Sequence, residues 1–370
     1  VTGGRTGGGA TPPGPAAASR DGSPSSPLPP AANFLLDTRG TIHTFDAFVV
    51  AAAFDADSRL AAFGLGDGTV RIAALAAPGS ATTIEAHDGA CLALCADAAP
   101  GGFLSGGDDG ELRRIDPEGA HALAAWPGKW VEHVLAHPGK GAWRAAAVGK
   151  AVHLLDAAGS TLKTLVHPST ATGLATDAKG RRLAVSHYNG ASLWFVAAKE
   201  DRPTALAWKG SHTAIAISPD ARYVVTAMQE NALHGWRIAD GAHMRMSGYP
   251  AKTKSLGFTA RGRWLATSGA ESVVCWPFTG DGPMGKAPEE LAGGDAVLVT
   301  RVACHPEHEV IAAGFADGLV LLTEIASRKV LPVAAPGRGP VSALAWSPDG
   351  RWLAFGTETG FAALVDFAPR

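Results

Sequence analysis

The chain has 370 residues, 46% hydrophobic and 18% charged, with a formal net charge of −2, enough for a large core built as several domains or as one repeat array. The near-neutral balance argues against a dedicated nucleic-acid binder, which carries a basic face, and no apolar run reaches the roughly 18 residues needed to span a bilayer. Cys91, Cys95, Cys275 and Cys304 each fall inside an apolar run; they form no disulfide framework, which points to a reducing cytoplasm.

In chain order, residues 1–33 are dominated by Gly, Pro, Ala and Ser. They lack the apolar core of a secretory signal and are expected to be a disordered tail, with the folded domain at 34–370. "GTIHTFDAF" (40–48) then reads as a lone strand. From residue 51 onward the chain repeats itself. "AAAFDADSRLAAFGLGDGTVRIAAL" (51–75), "LALCADAAPGGFLSGGDDGELRRID" (92–116) and "ALAWSPDGRWLAFGTETGFAALVDF" (343–367) show the pattern most clearly. One aligned position recurs at Phe54, Cys95, His137, Thr176, Ile217, Phe258, Cys304 and Trp346, with spacings of 41, 42, 39, 41, 41, 46 and 42. Each unit holds three short runs of strand grammar separated by turn residues, and a fourth run precedes the next unit. Four strands in about 42 residues is the period of a propeller blade. The expected fold is therefore an all-β propeller of four-stranded antiparallel blades, with eight blades. Seven is the alternative, and "RAAAVGKAVHL" (144–154) in the third repeat is then the exception.

Candidate chemical motifs are few. "GDGPMGKA" (280–287) approaches a phosphate-binding loop through Gly280, Gly285 and Lys286. Ala287 stands where the magnesium-binding hydroxyl belongs, and the loop joins two strands of a repeat. It is long, accounts for the 46-residue spacing, and is expected to project from the bottom face. Cys91 and Cys95 lie about 13 Å apart along one strand, too far for a disulfide or a shared metal. His137 and His305 fall in turns, whereas His187, His234 and His243 have no such explanation. No metal site, cofactor or catalytic triad is expected, and Asp67, Asp108, Asp109 and Asp317 read as hairpin-turn residues.

"SPDGRWLAFG" (347–356), "SGGDDG" (105–110) and "EAHDGA" (85–90) resemble the WD-repeat (WD40) β-propeller family over residues 40–370, in its stand-alone bacterial form. The resemblance implies that the N-terminal strand completes the last blade and closes the ring. It also implies internal hydrogen bonds that pin the turns, pairing His87 with Asp109 and His212 with Glu230. In that family the turn between strands two and three and the link into the next blade share the narrow top face. On that face, small polar turns such as "GGDDG" (106–110) contrast with "SHYNG" (186–190) and "MQEN" (228–231). Together with the nearby links, these give a sector of Lys129, Trp130, His187, Tyr188, Trp208, Lys209, Met228, Gln229, Tyr249 and Lys252. Turns do not require aromatics or methionine, whereas interface hot spots use them.

The expected function is a monomeric, cytoplasmic protein-binding scaffold without catalysis, using the top face of blades four and five. It would bind protein partners, with no nucleic acid and no membrane. A metal-handling or enzymatic accessory with a small-ligand site at the channel mouth is the alternative. Trp208 packing between blades and Tyr188 covering a blade edge are the competing structural readings.

Overall fold

The computed structural model describes residues 33–293 and 295–369; the expected tail, apart from Asn33, lies outside the described residues. The strands follow the repeat. Second strands such as Phe103–Gly107, Trp143–Val148 and Trp352–Thr357 are buried along their whole length. Fourth strands are more exposed: Ala81–Glu85 buries only Ile84. This is why inner strands read as continuous apolar runs and outer ones as mixed. All strand pairs are antiparallel, and no helix among the described residues is long and apolar enough to cross a membrane.

Among the described residues there are seven hydrogen-bonded sheets, which corrects the expected eight. Six have four strands: residues 49–85, 91–125, 133–166, 256–293, 299–334, and 341–366 joined by 40–44. The remaining one, spanning 173–247, has six strands and absorbs repeats four and five. The reason is a pair of 14-residue strands, Arg182–Phe195 and Thr204–Ile217. Asn189 and Gly190 take positive φ and divide the first, so that 183–186 pair with Gly173–Thr176 and 190–193 pair with 204–207. Beyond Gly210, residues 212–217 pair with Tyr223–Met228. Tyr188 opposite Ser211 is the rung that makes the two repeats one sheet. The third repeat, singled out as the weak one, forms a regular four-stranded sheet.

Innermost strands contact one another in ring order around the axis, and the six-stranded sheet contributes both Gly173–Thr176 and the second half of Thr204–Ile217 to that ring. Hydroxyls at the start of these strands tie sheet to sheet. Ser255 donates to Val302 O (3.1 Å), Thr300 to Val341 O (2.7 Å) and Ser342 to Val49 O (2.6 Å), the last across the closure. Closure runs through Gly40–Thr44, whose residues pair with Phe361 to Val365 of the last repeat, as the resemblance implied. A short helix, Leu35–Arg39, packs beneath this seam: Leu36 is buried with Leu353 and Val365, and Arg39 donates to Ala368 O at 2.8 Å.

Alternating strand direction places the first-to-second and third-to-fourth connections at one end of each sheet, and the second-to-third turns and inter-sheet links at the other. These ends are called bottom and top below. The 280–287 loop is a bottom connection that lies back on its neighbour: Gly280 O accepts from the Tyr223 hydroxyl (3.0 Å) and from Arg222 (3.1 Å), and the Lys286 ammonium donates to Thr279 O.

Candidate interaction surface

A recurring polar motif under the top face fixes the turns. In the second repeat Asp109 accepts from His87 Nδ1 (3.1 Å), and His87 Nε2 accepts from the Ser105 hydroxyl (2.9 Å). Burial lowers the His87 pKa, against the pull of Asp109. Burial works the other way on Asp109, but the N–H groups of Glu111 and Asp88 and the His87 ring hold its carboxyl below the usual range. His212 and Glu230 do not form the expected pair. His212 Nε2 donates to Trp208 O (2.9 Å), leaving Nδ1 to accept from Thr226 (2.7 Å), while Glu230 meets only the backbone N–H of Ser211 (3.4 Å). Both ring nitrogens are spent within 3 Å, so no donor remains for the carboxylate.

The motif has a ring position that explains much of the expected sector. Counting back nine residues from the aligned position gives His167, Trp208 and Tyr249, each 41 residues from the next. All three turn inward. His167 Nδ1 donates to Lys150 O (3.2 Å) and Nε2 accepts from Trp194 Nε1 (3.0 Å). Trp208 stacks on His234 at 4.0 Å between ring centroids. The Tyr249 hydroxyl donates to Thr267 (2.7 Å) and accepts from Trp276 Nε1 (2.7 Å). Tyr249, 8% exposed, is therefore a buried turn residue and not a surface anchor. Burial also pushes its phenol well above the usual pKa.

His187 and Met228 are likewise corrected to buried positions. His187 donates from Nδ1 to Tyr188 O (2.9 Å) and accepts at Nε2 from Ser192 (3.0 Å). Met228, 4% exposed, ends a wholly buried strand. Asn231 supplies the positive φ that glycine supplies in the Asp-Gly turns, so "MQEN" keeps the hairpin geometry with a different residue.

The remaining sector residues face outward. Trp130 is 60% and Tyr188 58% exposed, Lys129, Lys209 and Gln229 are exposed, and Lys252 reaches Gln229 Oε1 at 2.7 Å. A cleft of about 330 Å³ gathers Tyr188, Trp208, Lys209 and Met228, with Glu230 and Arg245 adding one charge of each sign. Lys129 and Trp130 are not part of that cleft; they lie on the link between the second and third sheets. Sequence reasoning missed Glu230 and Arg245 as lining, because Glu230 was assigned to His212 and Arg245 lies in an outer strand.

The histidines do not converge. His187 and His212 are committed as described, and His234 is fully buried between Trp208 and Trp236 with neither ring nitrogen partnered. Burial lowers its pKa to about 3, with His243 and His212 adding to the effect. "HPEH" (305–308), passed over in the sequence, brings the His305 and His308 rings to 4.8 Å. His305 Nδ1, however, accepts from the N–H groups of Glu307 and His308, and Nε2 donates to Gly350 O. Among the described residues no group of three His, Cys, Asp or Glu side chains is placed to hold a metal ion. All four cysteines are free thiols; burial pushes Cys91, Cys95 and Cys304 up to about 12 and Cys275 further.

Comparison with known proteins agrees with this architecture. Residues 302–369 match the family model described as the anaphase-promoting complex subunit 4 WD40 domain. No curated protein sequence matches. Among many solved chains of similar shape is the crystal structure of Ika8, a computationally designed protein. It is 17% identical, with a TM-score of 0.70 over 88% of this chain and 98% of that one, a likeness that speaks for the fold alone.

Proposed function

We propose that this β-propeller, whose residues 302–369 match a WD40 family model, is a protein-binding scaffold without chemistry of its own. Its partner docks on the top face of the six-stranded sheet and the adjoining links. On this reading it is a stand-alone, monomeric bacterial protein working in the cytoplasm. The observation that carries the proposal is the pairing of an exposed Tyr188 with the cleft it borders. An aromatic side chain stands out of a turn that needs none, beside a concave site walled by Trp208 and Met228 and rimmed by Lys209, Glu230 and Arg245. That combination of aromatic anchor, apolar floor and mixed-charge rim is how binding energy concentrates at interfaces. Trp130 with Lys129, and Gln229 with Lys252, extend the same face as rim contacts.

Affinity purification from the source cells, with mass spectrometry of what is retained, tests this. Tyr188→Ala with Lys209→Ala is expected to melt like the parent and to lose the retained protein. Trp130→Ala is expected to weaken retention and leave melting unchanged. Identical partner recovery with the parent and the Tyr188→Ala/Lys209→Ala variant would place the interface elsewhere.

A further inference from the structure

The bottom of the third and fourth sheets carries a second feature that the top-face proposal does not use. Lys140 lies in the connection 138–142, and Lys179 and Arg181 lie in or beside the connection 177–181. All three are exposed and form no side-chain hydrogen bond or ion pair among the described residues. They border a cleft of about 790 Å³ floored by Phe195, Val196 and the alanines that follow. Phe195 is 51% exposed although it ends a strand whose preceding residues are buried. A smaller cleft of about 300 Å³, reaching Pro219, shares Lys179, Arg181 and Phe195, so the ring stands at the junction of the two. Its position is held by the Arg182 guanidinium, 5.3 Å from the ring centroid and anchored on Ala221 O at 2.8 Å.

The acidic side chains nearby already have partners. Asp177 accepts from the N–H groups of Arg181 and Arg182 at 2.7 and 2.9 Å. Asp220 accepts from Ser218 and Arg222, Asp201 pairs with Lys163 at 2.7 Å, and Glu200 pairs with Arg202 at 3.1 Å. No carboxylate lines the larger cleft. Three unanswered cations around an exposed aromatic ring form a surface that is complementary in both charge and polarity to one kind of ligand.

We propose that this bottom cleft is a second docking surface, for an acidic peptide segment carrying an aromatic side chain. Lys140, Lys179 and Arg181 meet its carboxylates, and its ring packs on Phe195. Charge complementarity of this kind favours encounter and register, while the buried ring supplies the anchor.

The test is fluorescence anisotropy on the full chain with a fluorescein-labelled peptide, Asp-Glu-Asp-Phe-Glu-Asp. Controls are the same peptide with Ala in place of Phe and one with Lys in place of every acid. The acidic Phe peptide is expected to saturate within a titration to about 1 mM and to weaken as salt rises from about 50 to 300 mM. Lys179→Glu/Arg181→Glu is expected to weaken it by about tenfold. Phe195→Ala, or the Ala peptide, should weaken it severalfold. Lys140→Gln/Lys179→Gln, which only removes charge, gives an intermediate loss and covers the case in which charge reversal disturbs folding. No saturable binding, or equal binding by both charge variants, overturns the proposal. So does equal competition by inorganic phosphate or an oligouridylate RNA with no dependence on Phe195, which would make the cleft a plain anion site.

Discussion

Replacing Tyr249 by phenylalanine separates scaffold from surface in one substitution. Donors and acceptors run in one direction here: Trp276 N–H to the Tyr249 oxygen, Tyr249 O–H to Thr267, and Thr267 O–H to Val274 O at 3.0 Å. Phenylalanine keeps the ring, so packing is unchanged. It deletes two hydrogen bonds worth about 0.5–1.5 kcal/mol each, and the buried indole N–H left without an acceptor adds about 1 kcal/mol or more. Thr267 keeps Val274 as its acceptor and adds little. The total is about 2–4 kcal/mol. For a chain of this size, unfolding entropy of about 2 cal/mol/K per residue turns that into a fall in Tm of about 3–5 °C. Differential scanning calorimetry with a partner-retention assay on the same samples reads both effects. The expected result is lower Tm with undiminished retention. Unchanged Tm with lost retention would mean that Tyr249 faces a partner, and the inward placement of the whole ring position would fall with it.

Arg144 and Asp97 form a buried pair linking the second and third sheets, with Nε to Oδ1 at 2.6 Å and Nη2 to Oδ2 at 2.9 Å. Arg144→Met leaves Asp97 with Arg114, at 3.2 Å, as its remaining cation and should cost about 1–3 kcal/mol in urea unfolding, whereas Asp97→Leu/Arg144→Met, in which Arg114 keeps Asp116, should return closer to the parent. His167, lowered to about 4, and His234, lowered to about 3, both by burial, bind fewer protons folded than unfolded. Their stability contribution is therefore complete above the unfolded pKa of about 6.5 and declines as pH falls toward 4. Thermal scans between pH 7 and 4.5 should show a shallower decline for His234→Leu than for the parent. Gly356 faces the next sheet so closely that a Cβ would lie 2.3 Å from Val49 Cγ1. Gly356→Ala should lower stability by about 1–3 kcal/mol, with partial recovery in Gly356→Ala/Val49→Ala by calorimetry.

The architecture was legible because its signal is repeated. Period, strand grammar and the spare N-terminal strand each follow from burial patterns that recur along the chain, and Gly40 opposite Val365 is their direct consequence. The sheet count was not legible, because it depends on one rung. Tyr188 opposite Ser211 joins two repeats whose sequences look as separate as any others. The sector was half legible for a related reason. Trp208 and Tyr249 were read by type as surface excess, but their common spacing with His167 marks one inward structural position occupied by His, Trp and Tyr. Met228 misled in the same way, since a turn that begins one residue later leaves it on the buried strand. His212 misled because its imidazole satisfies itself on a hydroxyl and a carbonyl, which no spacing rule reveals. The bottom cleft was invisible because Lys140 and Lys179 come from different repeats and meet only once the sheets are stacked.

The six-stranded sheet gives the molecule two independent ends. Tyr188 stands at the bend of the strand Arg182–Phe195 and Phe195 at its foot, and Ala191 to Trp194 between them are buried in the core. At about 3.3 Å per residue the half-strand from Gly190 holds the two rings on the order of 17 Å apart. The packed residues between them belong to two core clusters, Leu193 to the one that holds Val224 and Trp194 to the one that holds Leu165. The two clefts share no lining residue, so a partner bound at one end leaves the other end free. Two ligands of different chemistry, one met by Tyr188 and the mixed-charge cleft and one by Phe195 and its cations, could be held on the same sheet at once. Joining two separate molecules in this way is what a scaffold does.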